Sequence, residues 1–172
     1  MSLKIPTNIL LPDGIFRQHY WIKRDHVVEQ IHFNNRTFFS KYERIDAPLT
    51  NDLFMDHLLH KITIAHALIF PYKHIANIVI DYNGNDAKRF YHHLQHQLNA
   101  LKIEIFTPFQ SKTTNHIHVY LHYAPMPLQE GIQLGKIISK KLSDKLPGQW
   151  RIYPNDNLPE AYNILNLPYD QL

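Results

Sequence analysis

Between residues 75 and 154 the apolar residues change repeatedly from the two-residue period of a β-strand to the roughly 3.6-residue period of an α-helix. The stretches with strand character are short and rich in β-branched residues, and the stretches with helical spacing are longer. The predicted strands are 75–84, 103–109, 116–123 and 149–154, and the predicted helices are 86–102 and 127–146. This order of elements restricts which strands can become neighbours in a sheet, so it constrains the fold strongly.

The order is β-α-β-β-α-β, which is typical of the split β-α-β unit. Right-handed crossover connections place the first and third strands of such a unit side by side in the centre of the sheet, with both helices on one face. We therefore predict an α+β protein with a ferredoxin-like (RRM-like) sheet, on which an N-terminal helical or mixed module packs.

The N-terminal part of the chain is less regular. Residues 51–69 follow the capping residue Thr50 and repeat apolar residues at helical spacing, which predicts a helix that ends before Pro71. Earlier residues fit a strand or a short helix equally well. Because no stretch has the composition of a linker, we predict a single domain, 1–172, with an N-terminal module (1–70), a ferredoxin-like core (75–154) and a C-terminal tail (155–172).

Composition limits the available chemistry. The chain has no cysteine, so any metal must be held by His, Asp or Glu, and the absence of disulfides fits a reducing cytoplasm. Lys plus Arg is 18 against 15 for Asp plus Glu, a mild positive excess that favours anionic ligands such as nucleotides. Residues 1–14 lack the pattern of a targeting segment, and no apolar run is long enough to span a membrane, so we expect a cytoplasmic protein.

Histidines gather on one face of the third predicted strand. The apolar residues of 116–123 suit the face that the helices cover, so the remaining side chains lie on the opposite face. These are His116, His118, Tyr120 and His122. The same alternation on the first strand puts Asp81 on this face, next to the histidines.

A carboxylate beside imidazoles at the end of a strand can bind a divalent cation or a complex of metal and phosphate. We predict Asp81 as the catalytic residue and as a ligand of Mg²⁺ or Mn²⁺, assisted by Asn83 and Asp86. The predicted nucleotide-binding residues are Ser111, Lys112, His116, His118 and Arg151, of which the arginine suits a bidentate phosphate contact. Each of these side chains can also be interpreted more simply, as the polar face of a strand or as solvated surface charge.

An apolar strand ending at Asp81, a helix, a strand and then the sequence SKTTNHIHVY (111–120) follow one another in this chain. This arrangement, over residues 77–127, resembles the core of the archaeo-eukaryotic primase (primase-polymerase) superfamily, in particular the polymerase domains attached to bacterial end-joining ligases. That family has an Asp-x-Asp strand end and a later Ser-Gly-x-x-Gly-x-His-Val-Tyr-Val motif, which Asp81, Ser111 and His118 match. The resemblance implies that the acids hold divalent cations, that the serine and histidine contact a dNTP or NTP, and that single-stranded nucleic acid is a further partner.

The chain departs from the family pattern at several positions. Asn83 replaces the second acid, the interval 112–115 has no glycine, and the last strand carries no acid, with Asp156 beyond it as the nearest substitute. Two-metal phosphoryl chemistry relies on carboxylates that clamp both cations. We therefore expect a nucleoside triphosphate and metal-binding protein, a degenerate nucleotidyltransferase with weak or lost activity. As a whole the chain also resembles a small protein family of Helicobacter and Campylobacter, which implies no activity.

Two alternatives belong to other classes of protein. The sequence His116-Ile117-His118 resembles the metal-binding strand of rolling-circle replication and transposition endonucleases, in which a downstream tyrosine attacks single-stranded DNA. Tyr162 would be that nucleophile here. The second alternative is a non-catalytic module that binds nucleic acid or protein, because an open sheet presents aromatic residues such as Tyr120 to bases.

Overall fold

The structure is a computed structural model, and it describes residues 11–172. The strands are β1 (Tyr20–Lys23), β2 (Glu29–Phe33), β3 (Arg36–Ser40), β4 (Tyr42–Ile45), β5 (Ile64–Ala67), β6 (His74–Tyr82), β7 (Phe106–Gln110), β8 (Ile117–Pro127), β9 (Trp150–Tyr153), β10 (Ile164–Asn166) and β11 (Asp170–Gln171). The helices are α1 (Asn51–Leu58), α2 (Ala87–Ala100), α3 (Leu128–Ser143) and a short 3-10 helix, Glu160–Tyr162. None of the helices within this described range is long and apolar enough to cross a membrane. The prediction that residues 1–14 are not a targeting segment falls mostly on residues 1–10. Those ten residues lie outside the described residues.

The predicted core is a five-stranded antiparallel sheet with the order β11-β7-β8-β6-β9. The first and third strands of the predicted unit, β6 and β8, are neighbours along most of their length, as expected. Helices α2 and α3 pack into one apolar core on one face of this sheet, where Leu94, Leu98 and Leu142 are fully buried. The α+β class is therefore confirmed.

The N-terminal module is mixed, because it combines a second sheet with helix α1. The order of this sheet is β10-β5-β1-β4, and α1 packs at its end. The helix predicted over 51–69 was wrong beyond Leu58, because the chain turns at His60, whose φ is 59°, and re-enters as β5. The β-branched run 62–64 favours a strand, and β1 and β10 supply the partners on both sides. The C-terminal segment 155–172, expected to be a tail, contributes β10 to this sheet and β11 to the other.

The second sheet covers part of the histidine face of the first. An apolar cluster between them contains Val79 and Tyr120 from the five-stranded sheet and Leu68 and Leu165 from the N-terminal side. Tyr120 is fully buried, so the idea that it lies on an open sheet and stacks on bases was wrong. The two sheets diverge near the end of β6, where a cleft remains between them.

Strands β2 and β3 form a separate two-stranded hairpin. Its turn uses Asn34 and Asn35, both with positive φ, which is the geometry that two-residue hairpins prefer. One face of the hairpin is held against the body by Phe38, whose ring lies edge-on to Tyr162 at 6.3 Å between centroids. Alternation along β3 therefore turns Phe39 outward.

Candidate functional site

The cleft between the two sheets has a volume of ≈ 750 Å³, within the range of about 300–1,000 Å³ that is usual for small-molecule sites. One wall comes from β6, β9 and the chain around the start of β8, and the other comes from β1, β3, β4 and the C-terminal segment. Its polar and aromatic lining residues are Lys23, Phe39, Ser40, Lys41, Tyr42, Asp81, Asn83, Ser111, Lys112, Thr113, His116, His118, Arg151, Tyr153, Tyr162 and Asn166.

Asp81 sits in the middle strand of this wall, between two basic neighbours. The strand register pairs it with His118 on β8 and with Arg151 on β9. The His118 Nε2 atom lies 3.2 Å from Asp81 Oδ1, which is an ion-pair distance, although the pair does not have hydrogen-bond geometry. Asp81 Oδ1 and His118 Nδ1 are both buried without a hydrogen-bond partner among the described residues. Because burying a polar atom without a hydrogen bond costs free energy, the 3.2 Å approach of His118 Nε2 offsets part of the cost of burying Asp81 Oδ1.

A buried polar pair lies behind Asp81. The His66 Nε2 atom and the Tyr120 hydroxyl are 2.7 Å apart in a hydrogen bond between the two sheets. Burial raises the pKa of Tyr120, and the charge of Asp81 raises it further, so this hydroxyl stays protonated. Burial lowers the pKa of His66 to about 4, so its imidazole is neutral near pH 7. The buried pair between the two sheets is therefore uncharged near pH 7.

The rim of the cleft is basic. Lys23, Lys41, Lys112 and Arg151 line it and are exposed, and Asp81 is its only acid among the described residues. Two of the cations come from each wall. Cations therefore outnumber acids in the lining that the described residues give to this cleft.

The loop 111–116 presents Ser111 and Lys112 to the cleft, and Gln110 holds its shape. The Gln110 amide donates to the backbone oxygens of Ser111, Thr113 and His116 at 3.0–3.2 Å. The Ser111 N–H also donates to the His116 carbonyl at 2.8 Å. The loop has no glycine, but Asn115 adopts the left-handed conformation, with φ 66°, which asparagine tolerates better than most residues. The Gln110 amide and the left-handed conformation of Asn115 thus support a tight loop that contains no glycine.

Most of the predicted site residues converge on this cleft. Asp81, Asn83, Ser111, Lys112, His116, His118 and Arg151 all line it. Asp86 does not, because it caps helix α2 by accepting a hydrogen bond from the Arg89 N–H at 3.1 Å and lines a different cavity beside the helices. The structure does not bring Asp86 to Asp81, and the predicted set of metal ligands is not assembled.

The described residues contain no ready-made cluster of metal ligands. Within 11–172 no group of three or more His, Asp or Glu side chains has the arrangement to hold a metal ion. The Asn83 amide nitrogen, and not its oxygen, is directed at Asp81 Oδ2, 3.4 Å away. A two-metal centre with several protein carboxylates is therefore not formed by this cleft.

Sequence reasoning missed the N-terminal wall. Phe39, Lys41 and Tyr42 follow one another in a stretch whose pattern fitted a strand or a helix equally well, and Lys23 stands alone in β1. No periodic signal linked these residues to Asp81, because only the packing of the two sheets brings them together. Tyr162, considered for the nuclease alternative, also lines the cleft, and burial raises its pKa.

Comparison with known families gives a match over the N-terminal part of the chain. Residues 14–77 match the model of a domain of unknown function (DUF1882). The match covers β1 to β5 and the first part of β6, and thus most of the N-terminal wall but not Asp81 or the histidine strand. A search of curated proteins finds no match to this chain.

Proposed function

We propose that this protein binds a nucleoside triphosphate, as a dNTP or NTP, in the cleft between its two sheets. The observation that carries the proposal is that four cations, Lys23, Lys41, Lys112 and Arg151, line the cleft together with Asp81, its one acid among the described residues. Lysine and arginine donate strong, charge-assisted hydrogen bonds to phosphate oxygens, and arginine can do so in bidentate fashion. The likeness of 77–127 to primase-polymerases supports the same ligand class, and the cytoplasm, where these nucleotides are abundant, is the proposed location.

The divalent cation would enter with the nucleotide. Mg²⁺ commonly keeps several waters and is bound through one or two carboxylates together with substrate phosphates. Asp81 provides one such carboxylate, whose Oδ1 atom has no hydrogen-bond partner among the described residues. Mg²⁺ or Mn²⁺ is therefore proposed as part of the ligand and not as a permanent component of the protein.

Binding without efficient nucleotidyl transfer is the activity we propose. Two-metal transfer stabilises both the attacking and the leaving oxygen, and among residues 11–172 the cleft has one acid where such enzymes use several. Transfer to single-stranded nucleic acid, which the primase resemblance implies, is accordingly weak or lost in this proposal.

Calorimetric titration of GTP and dGTP, with and without Mn²⁺, tests the proposal. We expect micromolar binding that Mn²⁺ strengthens. Lys112→Gln should weaken binding about ten-fold, because it removes one charge-assisted contact worth roughly 1.5 kcal/mol. Asp81→Asn should abolish the strengthening by Mn²⁺ and leave metal-free binding equal or tighter, since it removes a negative charge from the cleft.

Two matched variants serve as controls. Lys141→Gln removes an exposed lysine on α3 that does not line the cleft. Asp86→Asn alters the predicted ligand that lies away from the cleft, and asparagine preserves the helix cap. Both should bind GTP as the unaltered protein does. Absence of heat with both nucleotides, with and without Mn²⁺, would contradict the proposal.

A His-x-His nuclease is the second candidate, because His116, His118 and Tyr162 line the same cleft. Its test is a covalent adduct with single-stranded DNA that forms with Mn²⁺ and disappears in Tyr162→Phe. This reaction needs a metal held by the two histidines, and residues 11–172 contain no group of three or more His, Asp or Glu side chains arranged to hold one, so the nucleotide-binding proposal is preferred.

A further inference from the structure

Phe39 is an aromatic side chain that the fold leaves exposed at the mouth of the cleft. It is 63% exposed, although its neighbour Ser40 is buried. Alternation along β3 puts the two side chains on opposite faces of the strand, and the face that carries Phe39 stays open to solvent at the edge of the cleft. An exposed phenylalanine at the rim of a polar cleft leaves apolar surface that a ligand can cover.

The hairpin holds Phe39 in a defined position. Phe38 packs edge-on against Tyr162, and the Arg36 guanidinium lies over the Phe38 ring at 5.1 Å. The Ser40 hydroxyl accepts a hydrogen bond from the Tyr42 N–H at 3.1 Å, which fixes the step from β3 to β4. The strand is thus anchored on both sides of Phe39. These contacts hold the backbone of Phe39 at the edge of the cleft.

The surroundings of Phe39 identify the ligand group that would cover it. Phe39 and Lys41 belong to the N-terminal wall, whereas Lys112, Arg151 and Asp81 belong to the opposite wall. A nucleotide has its phosphates at one end and a flat aromatic base at the other. An aromatic platform beside a cationic groove is the combination with which proteins bind nucleotides by stacking.

We infer that Phe39 is the base-stacking residue of the cleft, with the triphosphate toward Lys112 and Arg151. This inference rests on the proposed function. Stacking on one ring face makes no base-specific hydrogen bond, so the site accepts all bases and binds purines more tightly than pyrimidines, since the purine ring is larger.

Calorimetry with GTP, CTP and inorganic tripolyphosphate separates base binding from phosphate binding. We expect Phe39→Ala and Phe39→Leu to weaken GTP binding about 5- to 150-fold and to leave tripolyphosphate binding unchanged. Phe39→Tyr, which keeps an aromatic face, should retain GTP binding. Tyr72→Ala is the matched control, because Tyr72 is 94% exposed but does not line the cleft.

The outcomes distinguish this inference from the proposed function. If Phe39→Ala binds GTP with unaltered affinity, or loses tripolyphosphate affinity to the same extent, the stacking role is wrong while nucleotide binding stands. Equal loss in Phe39→Leu and Phe39→Tyr would also overturn it. If the unaltered protein binds no nucleotide, both the proposed function and the stacking role fail.

Discussion

His57 is a buried histidine whose two ring nitrogens both have fixed partners. The Ile64 N–H donates to Nδ1 at 3.0 Å, and Nε2 is hydrogen-bonded to the Leu167 carbonyl at 2.8 Å. This pattern requires the neutral ring with its proton on Nε2. A second proton, on Nδ1, would displace the Ile64 N–H. The ring also stacks on Tyr169 at 4.3 Å between centroids, so His57 joins α1, β5 and the C-terminal segment.

Two buried neutral histidines make the stability depend on pH. Burial lowers the pKa of both His57 and His66 to about 4. In the unfolded chain their pKa is about 6.5, so the unfolded state binds more protons between these values. The two histidines therefore lower the free energy of unfolding little above about pH 6.5. As the pH drops from there toward 4, the free energy of unfolding falls by up to roughly 1.4 kcal/mol per pH unit for each histidine.

Urea unfolding at pH 7.5 and pH 5 measures this loss, which we expect to be about 2 kcal/mol for each histidine. The variant His57→Gln offers an amide donor and acceptor without a titrating ring, so it should reduce the pH dependence. His92→Gln, at an exposed position on α2, should leave it unchanged. A stability that is equal at the two pH values would refute the role of these residues.

At the scale of single elements, the loop 111–116 depends on one side chain in the strand before it. Gln110, at the end of β7, holds three carbonyl groups of the loop with its amide nitrogen. Gln110→Glu replaces this donor with oxygens that repel the carbonyls. We expect the loop amides, including the Ser111 N–H, to exchange hydrogen faster, and the affinity for GTP to fall about ten-fold, the effect of roughly one hydrogen bond.

Hydrogen exchange with mass spectrometry and GTP titration check this prediction together. Gln97→Glu introduces the same charge at a position on α2 that does not line the cleft, and it should change neither result. Unchanged exchange in Gln110→Glu would show that the loop keeps its shape without this amide.

On the scale of the whole molecule, the C-terminal segment ties the two sheets into one unit. Leu165 on β10 lies in the apolar cluster between the sheets, and Leu167 is fully buried in the core of the N-terminal side. The segment then continues into β11 of the five-stranded sheet. Because each sheet gains a strand from the same nine residues, 164–172, neither sheet is complete alone.

The two tryptophans report on the two sheets separately. Trp21 lies on β1 of the N-terminal sheet and Trp150 on β9 of the five-stranded sheet. In Trp21→Phe the remaining tryptophan reports on the five-stranded sheet, and in Trp150→Phe it reports on the N-terminal sheet. In each variant we expect the fluorescence and the circular dichroism to change at the same urea concentration. Leu167→Ala should lower the free energy of unfolding by about 2–5 kcal/mol. It should shift the fluorescence transitions of both tryptophans to the same lower urea concentration. A fluorescence transition that separates from the circular dichroism would show that the sheets unfold independently.

The sequence by itself determined the elements between 75 and 154, their class and most of the residues of the cleft wall around Asp81. These features follow from local periodicity, because alternation along β6 and β8 decides which side chains share a face. Only the tertiary structure decided that 62–69 is a strand region, that Tyr120 is buried, and that Phe39 and Lys41 line the same cleft as Asp81. Those outcomes depend on contacts between segments far apart in the chain, such as β5 with β10 and His66 with Tyr120, and no local pattern encodes which distant segment supplies the partner.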